Sequence, residues 1–158
     1  MKSPGAARTG PPRAYTGSVI SGKHLLRLLG YLWAAPCSAA GLAVALVAVL
    51  CGAKLQVRDG TVQIVGGRLI TGISALPTRL RILAFTNGHV IFAVDPATLE
   101  AYRAHELVHV RQYERWGPLF PLLYLGSSLI QKLRGRDPYF ANRFEQEARA
   151  AETPPGSR

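Results

Sequence analysis

The stretch RAHELVHVRQYERWG, residues 103–117, contains two histidines, His105 and His109, that are four residues apart. Glu106 directly follows the first of them. Positions i and i+4 lie on one face of a helix, so both imidazoles would point the same way. Two imidazoles placed like this can bind one Zn²⁺, and the adjacent glutamate can deprotonate a water molecule. Because the same spacing also arises by chance on amphipathic helices, the rest of the chain must supply the support for a metal site.

The longer segment DPATLEAYRAHELVHVRQYERWGP predicts the helix that would carry these residues. Asp95 is a suitable N-cap, and Pro96 fits the first helical position. Gly117 and Pro118 end the helix. On a helical wheel, both histidines fall on the aromatic-rich side, opposite a charged arc, which predicts that they point into the protein.

A third ligand is predicted from the end of the chain. An apolar helix over about 118–133, followed by the helix YFANRFEQEARAAE, would form a helical hairpin that returns to the histidine helix. Its candidate ligands are Glu145 and Glu147; the helical wheel places Glu147 nearer the phenylalanine-rich stripe and Glu145 at the other edge, so both stay open. Two histidines and one glutamate leave a fourth position free, as in catalytic zinc sites.

The N-terminal part of the chain divides by composition. Residues 1–27 form a basic, acid-free segment rich in Gly, Pro and Ser, which predicts a disordered tail. Residues 28–53 carry no charge, and about 20 apolar residues suffice to cross a bilayer as a helix. We expect a transmembrane helix there, with a buried core helix or a signal peptide as alternatives. Basic residues flank the span equally, and the acid-free tail favours a cytoplasmic N-terminus.

Residues 54–95 predict strands. Asp59-Gly60 and Asn87-Gly88 each separate two apolar runs, as in tight hairpins, and RLITGISAL (68–76) predicts a further strand. We expect three to five antiparallel strands, with the strand 89–94 at an edge where an extended peptide could pair. The predicted fold class is α+β: an N-terminal transmembrane helix, then a domain over 54–158 with antiparallel strands and about three helices.

The charge balance bears on partners. The chain has 19 Lys and Arg against 9 Asp and Glu, a formal net charge of +10. No basic run is interleaved with stacking aromatic residues, so we predict no nucleic-acid partner. The predicted partners are the lipid bilayer and a peptide or protein substrate of unknown identity.

The two metal motifs also carry a resemblance. The chain resembles gluzincin-type metallopeptidases, especially the compact minigluzincin proteins and the membrane-embedded CaaX and heat-shock protease group. HELVH matches their first motif at His105, Glu106 and His109, and EQEA matches the second, with Glu145 three residues before Ala148. The resemblance implies a zincin-like domain that binds Zn²⁺ and selects Glu145 over Glu147. Arg149 stands where that family usually has Asp, which would support a histidine.

The wider run from HVRQYERWGP to NRFEQEAR, behind an apolar N-terminal segment, is similar to an uncharacterised bacterial membrane-protein group. That resemblance implies a single-pass protein of the bacterial inner membrane. The function expected from the two metal motifs and the metallopeptidase resemblance is zinc-dependent hydrolysis of peptide bonds, with Glu106 moving the proton of the attacking water.

Other roles are left open by the residues. Candidate donors to the oxyanion are Tyr102, Tyr113, Tyr139, Arg143 and His89, of which His89 follows the Asn-Gly turn and is expected to be exposed. One alternative is a non-catalytic, membrane-anchored zinc module that acts as a binding or regulatory protein. Another is a membrane protein without metal, in which the motif arises by chance.

Overall fold

The computed structural model describes residues 22–76 and 82–152. The first half contains α1 (Gly22–Leu50), β1 (Lys54–Arg58), β2 (Thr61–Val65), α2 (Gly67–Ser74), β3 (Ala84–Asn87) and β4 (Val90–Ala93). The second half contains α3 (Pro96–Trp116), a 3-10 turn (Gly117–Leu119), α4 (Phe120–Leu133) and α5 (Arg143–Arg149). The fold is α+β, with one long apolar N-terminal helix followed by a small four-stranded sheet and further helices.

The sheet has the strand order β1-β2-β4-β3. Both predicted hairpins are confirmed, since β1 pairs antiparallel with β2 and β3 pairs antiparallel with β4. The expectation of a purely antiparallel sheet is wrong, because β2 and β4 run parallel. The long connection between these two strands contains α2, and a connection of that kind lets the chain return in the same direction. As a result β1 and β3 are the edge strands, and the segment 89–94, which we expected at an edge, forms the interior strand β4.

α2 occupies most of the segment 68–76 that the sequence predicted as a strand. Gly66 and Gly67 have positive φ angles of 71° and 82°, so the chain leaves the sheet directly after β2. Leu69, Ile70 and Ile73 then recur at helical spacing, and Ile70 is buried. The prediction of a strand was wrong because this short apolar pattern fits either period.

Side chains alternate between the two faces of the sheet, so each face can form its own core. Each of these cores packs against a different helix. The core on one face joins the sheet to α1 and includes Ala45, Ala48, Ile64, Val90 and Phe92. The core on the other face joins the sheet to α3 and consists of Val65, Ile91, Ala93, Leu99 and Val110. α1 is therefore a layer of the folded unit, and its inner face contributes to the core.

α1 packs against the rest of the protein through small residues. Its buried and half-buried positions include Gly30, Ala34, Ser38, Gly41, Ala45 and Ala48. At Gly41 an added Cβ would lie 2.7 Å from the carbonyl oxygen of Asn87, so this close approach depends on the missing side chain. The large apolar side chains point away from the sheet: Leu32 is 71%, Leu46 63% and Leu50 79% exposed.

A polar cluster holds α1 in place, and we call it the docking cluster (Ser38, His89 and Glu114). The Oγ atom of Ser38 lies 3.0 Å from His89 Nδ1, and His89 Nε2 lies 3.2 Å from Glu114 Oε1. The Tyr31 ring stacks on the His89 ring at a centroid distance of 4.0 Å. The expectation that His89 is exposed is wrong, because α1 covers the β3–β4 turn and leaves this residue 7% exposed.

Among the residues that the structure describes, α1 is the one helix long and apolar enough to cross a membrane by length and composition, over Leu25–Leu50. A signal sequence or a core helix satisfies the same two criteria. Of the predicted tail, residues 1–21 lie outside the described residues, and residues 22–27 form the start of α1. The division into a span over 28–53 and a domain over 54–158 stays a prediction.

Candidate metal centre

α3 carries the histidines of the site. Its predicted bounds are confirmed, since Asp95 caps the helix by accepting the Thr98 backbone N–H at 2.8 Å and the helix ends at Trp116. Helical spacing places His105 and His109 on the inner side, where they are 4% and 8% exposed. Their Nε2 atoms lie 3.1 Å apart.

α5 adds a carboxylate to the two imidazoles. Asn142 caps this helix: its side-chain oxygen accepts the Phe144 N–H at 3.0 Å, and its amide nitrogen donates to two oxygens of α4. Glu145 is thereby buried beside both histidines. One carboxylate oxygen lies 3.4 Å from His105 Nε2, and the other lies 3.4 Å from His109 Nε2.

The outer nitrogen of each imidazole has an acceptor. His105 Nδ1 lies 2.7 Å from a carboxylate oxygen of Glu152, and His109 Nδ1 lies 2.8 Å from the side-chain oxygen of Gln112. The amide nitrogen of Gln112 donates to two oxygens of α5, which orients its oxygen towards His109. These acceptors favour the tautomer in which Nδ1 carries the proton.

With the proton on Nδ1, the Nε2 atom of each neutral imidazole presents a lone pair. Two lone pairs and the Glu145 carboxylate then converge, and within the described part of the chain Glu145 Oε2 has no hydrogen-bond donor. Ligands at about 2.0–2.1 Å from one tetrahedral Zn²⁺ lie about 3.3 Å apart. The observed separations of 3.1–3.4 Å fit that spacing, so His105, His109 and Glu145 could hold a metal ion.

The same geometry shifts the ionisation of the cluster. Burial opposes the charged form of Glu145, but the adjacent imidazoles of His105 and His109 and the hydrogen bond from the Tyr124 hydroxyl hold the pKa of this carboxyl well below its usual range. Burial also opposes the His105 cation, but the carboxylates of Glu145, Glu106 and Glu152 outweigh it and raise the pKa of His105. A proton and a metal ion therefore compete for the same lone pair.

Glu106 lies beside the cluster and outside its ligand set. Its side chain is 4% exposed and accepts a hydrogen bond from the Thr86 hydroxyl of β3 at 2.7 Å. Burial raises the pKa of Glu106 above its usual value, although the two histidines and Thr86 act in the opposite direction. A carboxylate with a raised pKa is a stronger proton acceptor, which suits a general base.

An open cleft of about 880 Å³ leads to the cluster. Its walls are mostly apolar and include Ile82, Leu83, Phe85, Phe120, Pro121 and Leu125. Glu106, Tyr102 and Tyr139 also line it. The cleft can therefore take an extended molecule with apolar side chains.

The edge strand β3 forms one wall of this cleft. The Val94 N–H donates to the Leu83 carbonyl at 3.0 Å, and antiparallel pairs alternate along the ladder between bonded and non-bonded. By that alternation the backbone N–H and C=O groups of Ala84 and Thr86 face away from β4. These groups can pair with a further strand.

Two residues that the sequence analysis discussed with the metal motifs lie outside the metal cluster. Glu147 lies outside the cluster and accepts a hydrogen bond from Gln112 at 3.0 Å. Arg149 donates to the Phe140 carbonyl at 2.6 Å and packs over the neighbouring aromatic rings. The carboxylate beside His105 Nδ1 belongs to Glu152, three residues after Arg149.

The candidate oxyanion donors fall into two groups. Tyr102, Tyr113 and Tyr139 line the cleft, and burial raises the pKa of Tyr113 to about 12. Arg143 lies over the Phe144 ring at 4.5 Å, and His89 belongs to the docking cluster. The three tyrosines therefore remain as candidates beside the metal cluster.

Four supporting residues were missed from the sequence: Thr86, Gln112, Tyr124 and Glu152. Gln112 had a local signal, because it lies three residues after His109 on the same helical face. The other three reach the site from separate elements, so no local spacing points to them.

Comparison with protein-family models, with curated proteins and with solved structures finds no match in any of the three. The case for a function therefore rests on the chemistry of the site.

Proposed function

We propose that this protein is a membrane-associated zinc metallopeptidase of the gluzincin type, with His105, His109 and Glu145 as ligands and Glu106 as catalytic base. The observation that carries the proposal is the convergence of two imidazole lone pairs and one carboxylate in a buried site. Two histidines and one glutamate leave one tetrahedral position open, which is typical of catalytic zinc. Glu145 is preferred to Glu147 because only Glu145 lies between the imidazoles.

The ligand set also supports the choice of metal. Two nitrogens and one carboxylate suit Zn²⁺, whereas Mg²⁺ and Ca²⁺ prefer oxygen ligands throughout. Zn²⁺ in such a site lowers the pKa of water and polarises a carbonyl group.

Glu106 performs the proton transfers in this proposal. Its carboxylate takes a proton from the attacking water and returns that proton to the nitrogen of the leaving amine. One amide bond and one water molecule thereby give one carboxylic acid and one amine, and Glu106 ends in its starting state. The hydrogen bond from Thr86 at 2.7 Å fixes the carboxylate orientation for both transfers.

The cleft supports a peptide as the substrate. The backbone groups of Ala84 and Thr86 that face away from β4 can pair with an extended chain, as in β-augmentation. Alternate side chains of that chain would enter the apolar cleft, because side chains alternate along a strand.

The test compares peptide hydrolysis by the wild type and Glu106→Gln, both in membranes, on a broad peptide library read by mass spectrometry. The substitution keeps size and hydrogen bonding but removes the basic carboxylate, so cleavage should slow by about 10²–10⁴-fold. Zinc content should stay unchanged, because Glu106 is not a ligand. Glu100→Gln makes the same change on an exposed residue of α3 and should leave the rate unaltered.

Three other outcomes would contradict this assignment. A wild type that binds zinc but cleaves nothing would favour the non-catalytic zinc module. A wild type without metal would favour the metal-free membrane protein. Loss of zinc in Glu106→Gln would make this residue a ligand or a support of the site.

A further inference from the structure

α1 has its small residues inside and its large residues outside. The inner positions are occupied by Gly, Ala and Ser, while leucines such as Leu32, Leu46 and Leu50 are more than 60% exposed. In water the reverse pattern is expected, because burying large apolar side chains stabilises the fold most. Close packing through small residues with large apolar side chains outside is typical of helices that face lipid.

The apolar surface continues from α1 onto the sheet. Leu55 and Val57 of β1 stand opposite Ile64 and Val62, so they lie on the α1 side of the sheet. They are 55% and 71% exposed. Their neighbour Arg58 points to the other side, where it donates to a glutamate of α3. The side of the fold that carries α1 is thus apolar, and the side that carries α3 is charged.

The distribution of acids follows the same division. Asp59 is the one acidic residue between positions 22 and 94, and the other eight of the chain's nine acids begin at Asp95. Among the side chains of α1 and α2 that the structure describes, the exposed charges are the basic residues Arg27 and Arg68. Apolar side chains flanked by basic residues, without acids, complement the surface of an anionic bilayer.

These contacts decide how α1 can lie in a membrane. It touches the rest of the fold from Gly30, which packs against Glu114, to Ala48, a length of about 27 Å. That is close to the thickness of the hydrocarbon core, about 30 Å. If α1 stood upright, β1 and α3 would stand beside it in the hydrocarbon with their exposed charges, including Lys54, Arg58, Arg111 and Arg115. Charged side chains are costly there.

We propose that α1 lies in the plane of one leaflet of an anionic bilayer instead of crossing it. The outer leucines of α1, together with Leu55 and Val57, enter the acyl region. Arg27 and Arg68 reach the headgroups, and the charged α3 side faces water. Both ends of α1 then lie on the same side of the membrane, in contrast to the single-pass arrangement expected from the sequence. This inference does not depend on zinc or on peptidase activity.

Labelling from one side of the membrane tests the proposal on the full-length chain. In a background with Cys37→Ala and Cys51→Ala, single cysteines are placed before α1 (Ser21→Cys), on the water-facing side of β1 (Gln56→Cys) and on α3 (Arg111→Cys). Membrane vesicles of both orientations are treated with an impermeant maleimide. We expect all three positions to react in the same vesicle orientation. Reaction of position 21 in the orientation opposite to the other two would establish a single-pass span and overturn the proposal.

The depth of α1 gives a second measurement. Spin labels at Leu32 and Leu46, both on the outer face, are about 21 Å apart along the helix. In anionic vesicles, oxygen and nickel accessibility should report similar depths for the two labels. Depths that differ by about 20 Å would indicate an upright helix. Recovery of the chain in the soluble fraction, with this surface covered by a second copy, would also overturn the proposal.

Discussion

The metal cluster and the docking cluster both contain histidine and glutamate, but their side chains have different roles. In the docking cluster, Ser38, His89 and Glu114 form a chain of hydrogen bonds that resembles a nucleophilic triad in its order. Its serine oxygen is already engaged, because it also accepts the His89 backbone N–H at 3.0 Å and contacts the Ala34 carbonyl at 3.1 Å. This cluster therefore joins α1 to the β3–β4 turn.

The metal cluster has the opposite balance of donors and acceptors. His105 and His109 direct their Nδ1 atoms at Glu152 and Gln112, so their Nε2 lone pairs meet the Glu145 carboxylate. Tyr124 donates to Oε1 of that carboxylate, and within the described residues Oε2 has no donor. Three acceptors at this separation repel one another unless a cation lies between them. The comparison teaches that a convergence of acceptors, more than the presence of histidine and glutamate, distinguishes a metal site from a structural one.

The largest expected difference concerns the ligand itself. Glu145→Ala removes the anion between the imidazoles, so zinc affinity should fall by more than about 100-fold, beyond the usual effect of an outer hydrogen-bond partner. Glu147→Ala makes the same change two residues away and should cost less. Equilibrium dialysis of both variants against zinc measures the order. A larger loss in Glu147→Ala would reverse the ligand assignment.

Glu152 should have the next largest effect. Its carboxylate holds His105 at 2.7 Å, and removal of such a partner weakens metal binding by about 10–100-fold. We expect Glu152→Gln to show this loss in zinc affinity while the fold, read by circular dichroism, is unchanged. Glu114→Gln changes the carboxylate partner of His89 in the same way and should keep full affinity. Equal zinc affinities in the two variants would mean that Glu152 does not support the metal site.

The packing of α1 against the sheet can be tested by enlarging a side chain at the contact. Ala45 is buried against the sheet, so Ala45→Leu should overpack this contact and lower the free energy of unfolding by about 1–3 kcal/mol. Ala43 points to the outer face, and Ala43→Leu should have little effect. Denaturant titration in detergent compares the two. Equal stability of both variants would mean that α1 does not pack on the sheet as described.

The smallest expected effect belongs to the docking cluster. Ser38→Ala removes the hydroxyl that contacts His89 and the Ala34 carbonyl, and it should lower the free energy of unfolding by about 1 kcal/mol. Zinc affinity should not change. Ser127→Ala, the same substitution on α4, serves as the control. A loss of zinc in Ser38→Ala would show that metal binding depends on the docking cluster.

Local rules account for what the sequence predicted well. The Asp95 cap and Pro96 start of α3, and the Asp59-Gly60 turn with both φ angles positive, depend only on neighbouring residues. The spacing of His105 and His109 likewise fixes their common face. These features need no knowledge of the rest of the fold.

The features that sequence reasoning missed depend on contacts between distant elements. β2 and β4 become parallel neighbours only after the chain has passed through α2. His89 is buried because α1 covers its turn, and Glu152 reaches His105 across 47 residues of sequence. The inner face of α1 also depends on distant contacts. Its composition predicted an apolar helix, but only the packed structure shows which side of the helix contacts the sheet.

Metal content of the purified full-length protein tests the central claim most directly. The wild type should contain about one zinc per chain, and His105→Ala or His109→Ala should lose most of it, because two remaining ligands make a poor site. His89→Ala, which removes the histidine of the docking cluster, should keep its zinc. A wild type without zinc, or an equal loss from His89→Ala and His105→Ala, would contradict the account.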